Sequence, residues 1–299
     1  MYEVSHIITF LNENKVFMLC YFGFLGACIG SFINVYVARY PRITHAHYEK
    51  EIKEYCDDYG HQFNATKRDS LPLTLLGRSE CPKCHKKIPL WVNIPIFGYF
   101  ILRGKCLSCK MSISFRYPAV EIVVTSLTLL VVYLQGLTPE GFLALLWVWL
   151  MVPALLIDFD ETILPDELSY FLLWAALITT LWQRHISIEE ALIGAVVGYM
   201  SLWSIYWLFK LVTGKEGMGH GDFKLFAAIG ATIGALALPF VILVAIFFSF
   251  FVVFMGSWKF KGRKVIPLGP GLIIGGFIVY LSKVGLVIPI LTPILIRLG

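Results

Sequence analysis

The sequence predicts an all-α polytopic membrane protein of about eight transmembrane helices, with a small cytoplasmic zinc-ribbon-like insertion after the first helix. The 299 residues are 58% hydrophobic with a mean hydropathy of +0.73, and the apolar residues form long runs rather than an amphipathic stripe. One interval, 39–116, breaks this pattern because it is rich in charged residues, His, Pro and Cys. Four of the seven cysteines form two Cys-x-x-Cys pairs in that interval.

Eight apolar stretches have the length and composition of membrane helices. They lie near 16–38, 117–134, 140–157, 167–182, 190–212, 223–237, 239–256 and 271–292. We therefore predict an N-terminal segment with the first helix (1–38), a cysteine-rich cytoplasmic domain (39–116) and a seven-helix membrane domain (117–299). The chain starts with a mixed polar segment that leads into a full-length apolar run, so a cleaved signal peptide is not expected.

Basic residues near the membrane ends predict the orientation, because Lys and Arg favour cytoplasmic flanks. With eight helices, three basic ends fall on one side: those after the first helix, before the second and before the eighth. Their basic residues are Arg39, Arg42, Lys110, Arg116, Lys259, Lys261, Arg263 and Lys264. Both termini are then expected in the periplasm. The net charge of +5 is spread over these flanks, so nucleic acid is not an expected partner.

An acidic loop, Asp158-Phe-Asp-Glu-Thr-Ile-Leu-Pro-Asp166, follows the predicted third helix. Asp158 comes directly after an apolar run, and an ionisable group at the membrane boundary is a functional hypothesis by default. Asp166 has a simpler explanation, because an acid after Pro165 in the opening turn of a helix complements the helix dipole. The acids in the middle of the loop are expected to be solvated. Asp158 is therefore the candidate of this loop.

A glycine-rich loop, Gly217-Met-Gly-His-Gly-Asp222, precedes the predicted sixth helix. Its glycines permit positive φ and close approach of an extended peptide. A phosphate cradle is not favoured, because no Gly-Lys-Ser/Thr ending and no preceding strand are present. A plain interhelical turn explains the glycines but not an acid at the mouth of the next helix. Asp222 is the second candidate.

Asp158 and Asp222 are predicted to meet, since the chain crosses the membrane twice between them. Two carboxylates in a partly desolvated site cannot both ionise cheaply, so one keeps a proton at neutral pH. The charged acid can then take a proton from water while the protonated acid donates to a carbonyl oxygen. This is the logic of an aspartic-peptidase dyad. No Ser-His-Asp or Cys-His arrangement stands out as a rival.

The paired cysteines, Cys81 with Cys84 and Cys106 with Cys109, are separated by twenty-one residues. Four thiolates in two such knuckles fit tetrahedral zinc. Two disulfides are disfavoured on a cytoplasmic face, and metal-free thiols stay open as an alternative. Four cysteine ligands leave no position for a water, so the predicted zinc is structural rather than catalytic.

Several further segments join these elements into one pattern. They are Gly30-Ser-Phe-Ile-Asn34 ahead of Arg39 and Pro41, Asn93-Ile-Pro95, Leu102-Arg-Gly-Lys-Cys106, Arg116-Tyr-Pro118 with Glu121, and Gly219-His-Gly-Asp-Phe-Lys-Leu225. Over nearly its whole length, the chain resembles the bacterial prepilin leader peptidases of type IV pilus and type II secretion systems.

The resemblance implies an enzyme of the bacterial inner membrane that removes the basic leader from prepilins and pseudopilins at the cytoplasmic face. It assigns catalysis to Asp158 and Asp222 and makes 117–299 the membrane peptidase domain. The cysteine domain implies a second activity, N-methylation of the new N-terminus with S-adenosylmethionine. No residue spacing indicates where this methyl donor binds, and the oligomeric state is not indicated either.

Two other classes of function stay open at this point. A transporter or proton channel would use boundary carboxylates as an ion relay, and a membrane-tethered zinc ribbon would use the helices only as anchors. Neither explains the glycine loop and its acid together. A separate hypothesis concerns Asp160, Glu161, Asp166 and Glu216, which we expect to form an acidic rim that attracts the basic leader.

Overall fold

The structure, a computed structural model, describes residues 14–59, 75, 77–81, 83–89, 92–182, 185–255 and 268–284. Across these residues the chain is helical and contains two isolated β-bridges, Glu80 with Lys87 and Lys105 with Ser112, but no β-strand. The helices are α1 (Lys15–Asp58), α2 (Phe97–Ile101), α3 (Arg116–Gln135), α4 (Pro139–Glu161), α5 (Asp166–Thr179), α6 (Ile188–Thr213), α7 (His220–Ile233), α8 (Leu238–Met255) and α9 (Gly269–Lys283).

Each of the eight predicted membrane segments carries a helix in its described part. Residues 285–292 of the last segment, and the predicted basic flank Lys259, Lys261, Arg263 and Lys264, lie outside the described residues. In the described part of the chain, α1, α3, α4, α6 and the segment Ala235–Val252 are long and apolar enough to cross a bilayer. Helices α5, α7 and α9 have 14, 14 and 15 residues, so each is only about 21–23 Å long, against about 30 Å of hydrocarbon. The prediction of an all-α polytopic membrane protein is confirmed.

Helix α1 continues to Asp58, twenty residues beyond the end predicted at 38. Its 44 residues correspond to about 66 Å, far more than a bilayer requires. After the apolar stretch, i,i+4 pairs support the helix: His47 with Glu51 at 3.2 Å and Lys50 with Glu54 at 3.6 Å. The predicted end at 38 was wrong for the helix, because the fall in hydropathy there marks the end of the apolar stretch and not the end of the helix.

The chain divides into two compact units. We call Phe24–Thr125 the cysteine unit, and Met1–Gly23 with Ser126–Gly299 the membrane unit. The three-part division predicted with boundaries at 38 and 116 stays a prediction.

Helix α7 is the central helix of the membrane unit, where it contacts α5, α6 and α9. Eleven of its fourteen residues are buried, the pattern of a helix enclosed on all sides. The backbones of α6 and α7 approach each other very closely at Gly194 and Gly230. A Cβ atom added to Gly194 would lie 2.1 Å from the carbonyl oxygen of Gly230, which is too close for any side chain. Glycine is required at this crossing, and the close packing holds the residues at the start of α7 in a defined position.

Candidate active site and metal centre

Asp158 lies in the last turn of α4 and is only 5% exposed. The helix ends four residues later at Thr162, whose left-handed backbone (φ 56°) lets its N–H donate to the Asp158 carbonyl oxygen. The carboxylate atom Oδ2 is buried and has no hydrogen-bond partner among the described residues. An acid in this state is uncommon in a folded core and is typical of functional sites.

Asp222 lies in the first turn of α7 and is 8% exposed. Gly219 caps this helix with an extended backbone (φ −76°, ψ 145°), and its N–H interacts with the Asp222 carboxylate. A Cβ on Gly219 would lie 3.6 Å from Asp222 Oδ2, an ordinary contact distance. The glycine loop therefore places a buried acid at a helix N-terminus, where the dipole complements negative charge.

The two acids converge at one end of the membrane unit, close enough for the charge of Asp158 to act on Asp222. Leu164 lies between their supporting segments: a Cβ on Gly221 would be 2.9 Å from Leu164 Cβ, and one on Gly269 would be 3.2 Å from Leu164 Cδ1. The predicted meeting of the two acidic loops is confirmed. The catalytic roles of the two acids stay a proposal.

Gly269, the first residue of α9, is a site residue that the sequence reasoning missed. Its N–H interacts with the Asp158 carboxylate, and a Cβ at this position would lie 2.6 Å from Asp158 Oδ2. Only a glycine lets α9 begin so close to the acid. The Gly269-Pro-Gly271 sequence at the helix start was the available signal, because proline favours the first turn of a helix.

Two members of the predicted acidic rim already have cationic partners. Lys224 forms an ion pair with Asp166, and Lys210 forms one with Glu216 at 2.9 Å. Glu161 is exposed at the end of α4. The acidic rim stays a prediction.

The four cysteines of the two knuckles converge in the cysteine unit, with all four Sγ atoms within 4.8 Å of one another. Cys81 Sγ and Cys109 Sγ are 3.6 Å apart, and no disulfide joins any of them. Sulfur ligands of a tetrahedral zinc ion are about 3.8 Å apart, given Zn–S bonds of about 2.3 Å. The cluster therefore fits a tetrahedral metal ion.

The two knuckles have the same backbone structure. The N–H of the first cysteine donates to the carbonyl five residues on, Cys81 to Lys86 at 3.1 Å and Cys106 to Met111 at 2.8 Å. The residue after the second cysteine has a left-handed backbone in both, with φ 53° at His85 and 58° at Lys110. Such turns aim two thiols at one point, the arrangement found in zinc ribbons.

The thiols also show why a cation suits this cluster. The backbone N–H groups of Cys109 and Ser108 lower the pKa of the Cys106 thiol to about 6, which favours the thiolate that binds metals. The Met111 N–H acts in the same direction on Cys109, but burial and the neighbouring thiols raise the pKa of Cys109 to about 11. Four thiolates this close together would repel one another, so a cation bound between them would stabilise the fully ionised cluster.

A polar cluster that the sequence reasoning did not find lies at the other end of the membrane unit. The Tyr280 hydroxyl donates to the Glu140 carbonyl at 2.8 Å, and His185 Nδ1 is 3.9 Å from the Glu140 carboxylate. Lys283 Nζ donates to the Ile233 carbonyl at 2.9 Å, which caps the end of α7. No motif links these residues, because they come from four separate segments of the chain.

Two regions of the chain match models of known protein families. Residues 24–135 match the Bacterial Peptidase A24 N-terminal domain, and residues 143–254 match the Type IV leader peptidase family. The chain is 40% identical over 280 residues to the prepilin leader peptidase/N-methyltransferase of Stutzerimonas stutzeri, covering 92% of this chain and 94% of that protein. The chain belongs to the type IV leader peptidase family. This confirms the family that the sequence motifs indicated.

Other members of the family show similar agreement. The proteins of the same name are 42% identical over 270 residues in Pseudomonas aeruginosa, covering 89% of this chain and 90% of that protein, and 38% identical over 264 residues in Neisseria gonorrhoeae, covering 87% and 88%. No solved structure gives a significant match. Asp158 and Asp222 lie within the matched leader-peptidase region, and the four cysteines lie within the matched N-terminal domain. Membership of a peptidase family favours the enzyme over the transporter and the tethered binding module.

Proposed function

We propose that this membrane enzyme removes the leader peptide from prepilins and pseudopilins with Asp158 and Asp222, and then N-methylates the new N-terminus. The observation that carries the peptidase activity is the convergence of two buried carboxylates from separate segments at one end of the membrane unit. The relatives' names supply the prepilin substrate and the second activity.

The dyad can hydrolyse a peptide bond without a covalent intermediate. The ionised aspartate takes a proton from a water molecule as the water oxygen attacks the scissile carbonyl carbon. The other aspartate, which holds a proton, donates it to the carbonyl oxygen. Collapse of the tetrahedral intermediate then expels the leaving amine, which receives a proton from the acid that was first the base. The buried surroundings strengthen each of these charge interactions.

The site faces the cytoplasm in this proposal, because the loop of Asp158 lies on the side predicted from the Lys and Arg flanks. A substrate whose hydrophobic helix lies in the inner membrane can present the bond ahead of that helix at this boundary. Asp160 and Glu161 would attract the basic residues of its leader.

The cysteine cluster holds a structural zinc ion in this proposal, with Cys81, Cys84, Cys106 and Cys109 as the ligands. Its support is the set of four convergent thiols and the matched geometry of the two knuckles. A bound zinc ion would link the two knuckles, which are twenty-one residues apart, into one folded module. S-adenosylmethionine is the proposed methyl donor, in keeping with the N-methyltransferase name of the relatives.

A comparison of wild type with Asp158→Asn and Asp222→Asn tests the peptidase assignment. Asparagine keeps the shape of the side chain but cannot cycle a proton, so leader cleavage should fall by at least a thousandfold in each variant. Each purified protein is incubated with a prepilin and the donor, and mass spectrometry reads leader loss and methylation. Methylation of a pre-cleaved pilin should persist in both variants. Cleavage at the wild-type rate in either variant would refute the assignment.

A further inference from the structure

The cysteine unit contains a cavity of about 800 Å³. This volume is in the range of sites for small organic ligands, about 300–1,000 Å³. One wall is a single face of α1, formed by Ser31, Val35, Ala38, Arg42, Ala46 and Glu49. Residues three or four positions apart share a helix face, so the part of α1 beyond residue 38 has a clear role as this wall. The knuckle residues Cys81 and Cys106 line another side.

Glu121, on α3, also lines this cavity, and its side chain is largely buried. Its Oε2 accepts a hydrogen bond from the Ile96 N–H at 2.6 Å, and the side chains of Ser31 and Asn34 bond to the same carboxylate. These donors are neutral, and within the described ranges no Lys or Arg forms an ion pair with Glu121. A buried carboxylate without a cationic partner is well suited to a positively charged ligand or to a proton.

The backbone around Glu121 is unusual in two places. Ile96 has φ 64°, a left-handed conformation that is strained for a β-branched residue. Its N–H is directed to Glu121, so the strain and the carboxylate belong to one arrangement. A Cβ on Gly30 would lie 2.8 Å from Glu121 Cα, so α1 can approach α3 closely only with glycine there. Strained backbone of this kind clusters at functional sites.

We propose that this cavity binds S-adenosylmethionine and that Glu121 accepts the proton that the pilin amine must lose before it is methylated. The inference rests on the N-methyltransferase activity proposed above and assigns that activity a site. The donor combines a sulfonium cation, an adenosine and an amino-acid carboxylate. It therefore suits a roomy pocket lined by acids such as Glu121, by bases such as Arg42 and Lys87, and by apolar side chains. Leader cleavage uses two acids of the membrane unit and does not account for this cavity.

Glu121 acts as the base in the proposed methyl transfer. The N-terminal ammonium group loses one proton to the Glu121 carboxylate and becomes a neutral amine. The nitrogen lone pair attacks the methyl carbon, the carbon–sulfur bond breaks, and its electron pair stays on sulfur. The products are S-adenosylhomocysteine, which is neutral at sulfur, and a methylated amine that carries the positive charge. Glu121 thus faces a cationic centre before and after transfer.

Binding of S-adenosylhomocysteine to the full-length protein in nanodiscs tests the location of the site. Ala46→Trp places a large ring in the cavity wall, and we expect it to weaken binding at least tenfold in equilibrium dialysis. Lys53→Trp is the matched control, because Lys53 is exposed on the same helix and does not line the cavity. Leader cleavage and bound zinc report whether each variant is folded. Wild-type affinity in a folded Ala46→Trp protein would overturn the proposal, and a loss of leader cleavage without loss of binding would assign the cavity to the leader instead.

The second variant, Glu121→Gln, tests the role of the carboxylate without filling the cavity. Its amide oxygen can still accept from Ile96, so binding of S-adenosylhomocysteine should stay within threefold of wild type. Methylation of a pre-cleaved pilin should slow by about a hundredfold or more, the typical effect of losing a general base. An unchanged methylation rate would refute the assignment of Glu121. If the wild-type protein itself does not methylate, the proposed function fails instead.

Discussion

Replacing Gly269 with alanine should slow leader cleavage, because the new methyl group would stand 2.6 Å from Asp158 Oδ2. An ordinary carbon–oxygen contact is about 3.3 Å, so the carboxylate must move by about 0.7 Å. A displacement of 1 Å at a catalytic group costs about a hundredfold in rate, which predicts a loss of roughly 25-fold. This corresponds to about 2 kcal/mol in the activation barrier. Helix propensity opposes the loss, because alanine stabilises a helix by about 1 kcal/mol relative to glycine.

The matched variant for this experiment is Gly219→Ala, which adds the same methyl group beside the other acid. Its Cβ would lie 3.6 Å from Asp222 Oδ2, so no atom has to move. Single-turnover cleavage of a prepilin by both variants, with thermal unfolding as a check on folding, gives the comparison. Wild-type cleavage by folded Gly269→Ala, or an equal loss of activity in Gly219→Ala, would refute this prediction.

Three further predictions concern the metal centre, the leader and the helix packing. Cys106→Ser should bind zinc at least tenfold more weakly than wild type, as measured by metal analysis after dialysis against a chelator, because a hydroxyl is a poor replacement for a thiolate. Reversing the charge of Asp160 and Glu161 together should raise the Michaelis constant for a basic leader but not for a leader stripped of Lys and Arg; equal effects on both would discard the acidic rim. Gly194→Ala should destabilise the fold by about 2 kcal/mol through overpacking, whereas Gly23→Ala, whose Cβ would meet only Leu129 side-chain atoms at 3.5 Å or more, should be tolerated in thermal unfolding.

The parts of the site that the sequence predicted are those with a local signal. Asp158 ends an apolar run, and Asp222 follows a glycine loop, so each acid could be placed at a helix end from its neighbours alone. The count of helices between them then required both acids to return to one boundary. The cysteine cluster was predictable for the same reason, since metal ligands occur at short, fixed spacings.

The parts that the sequence did not predict depend on long-range packing or on exposed helices. Hydropathy indicates which residues contact lipid, so it could not show that α1 continues to Asp58 through residues that are largely polar or charged. Gly269 contacts Asp158 across more than a hundred residues of chain, and no spacing rule connects them. Glu140, His185, Ile233 and Lys283 likewise come together only because four segments meet in the fold.

The backbone contact between Gly194 and Gly230 also limits how the enzyme can adjust to a substrate. Helices α6 and α7 are packed so closely that we expect them to move as one rigid body, which carries Asp222. Asp158 belongs to another helix, which ends at a short non-helical link, 162–165. If α6 and α7 move together, a wider gap between the two acids requires α4 to move relative to that pair.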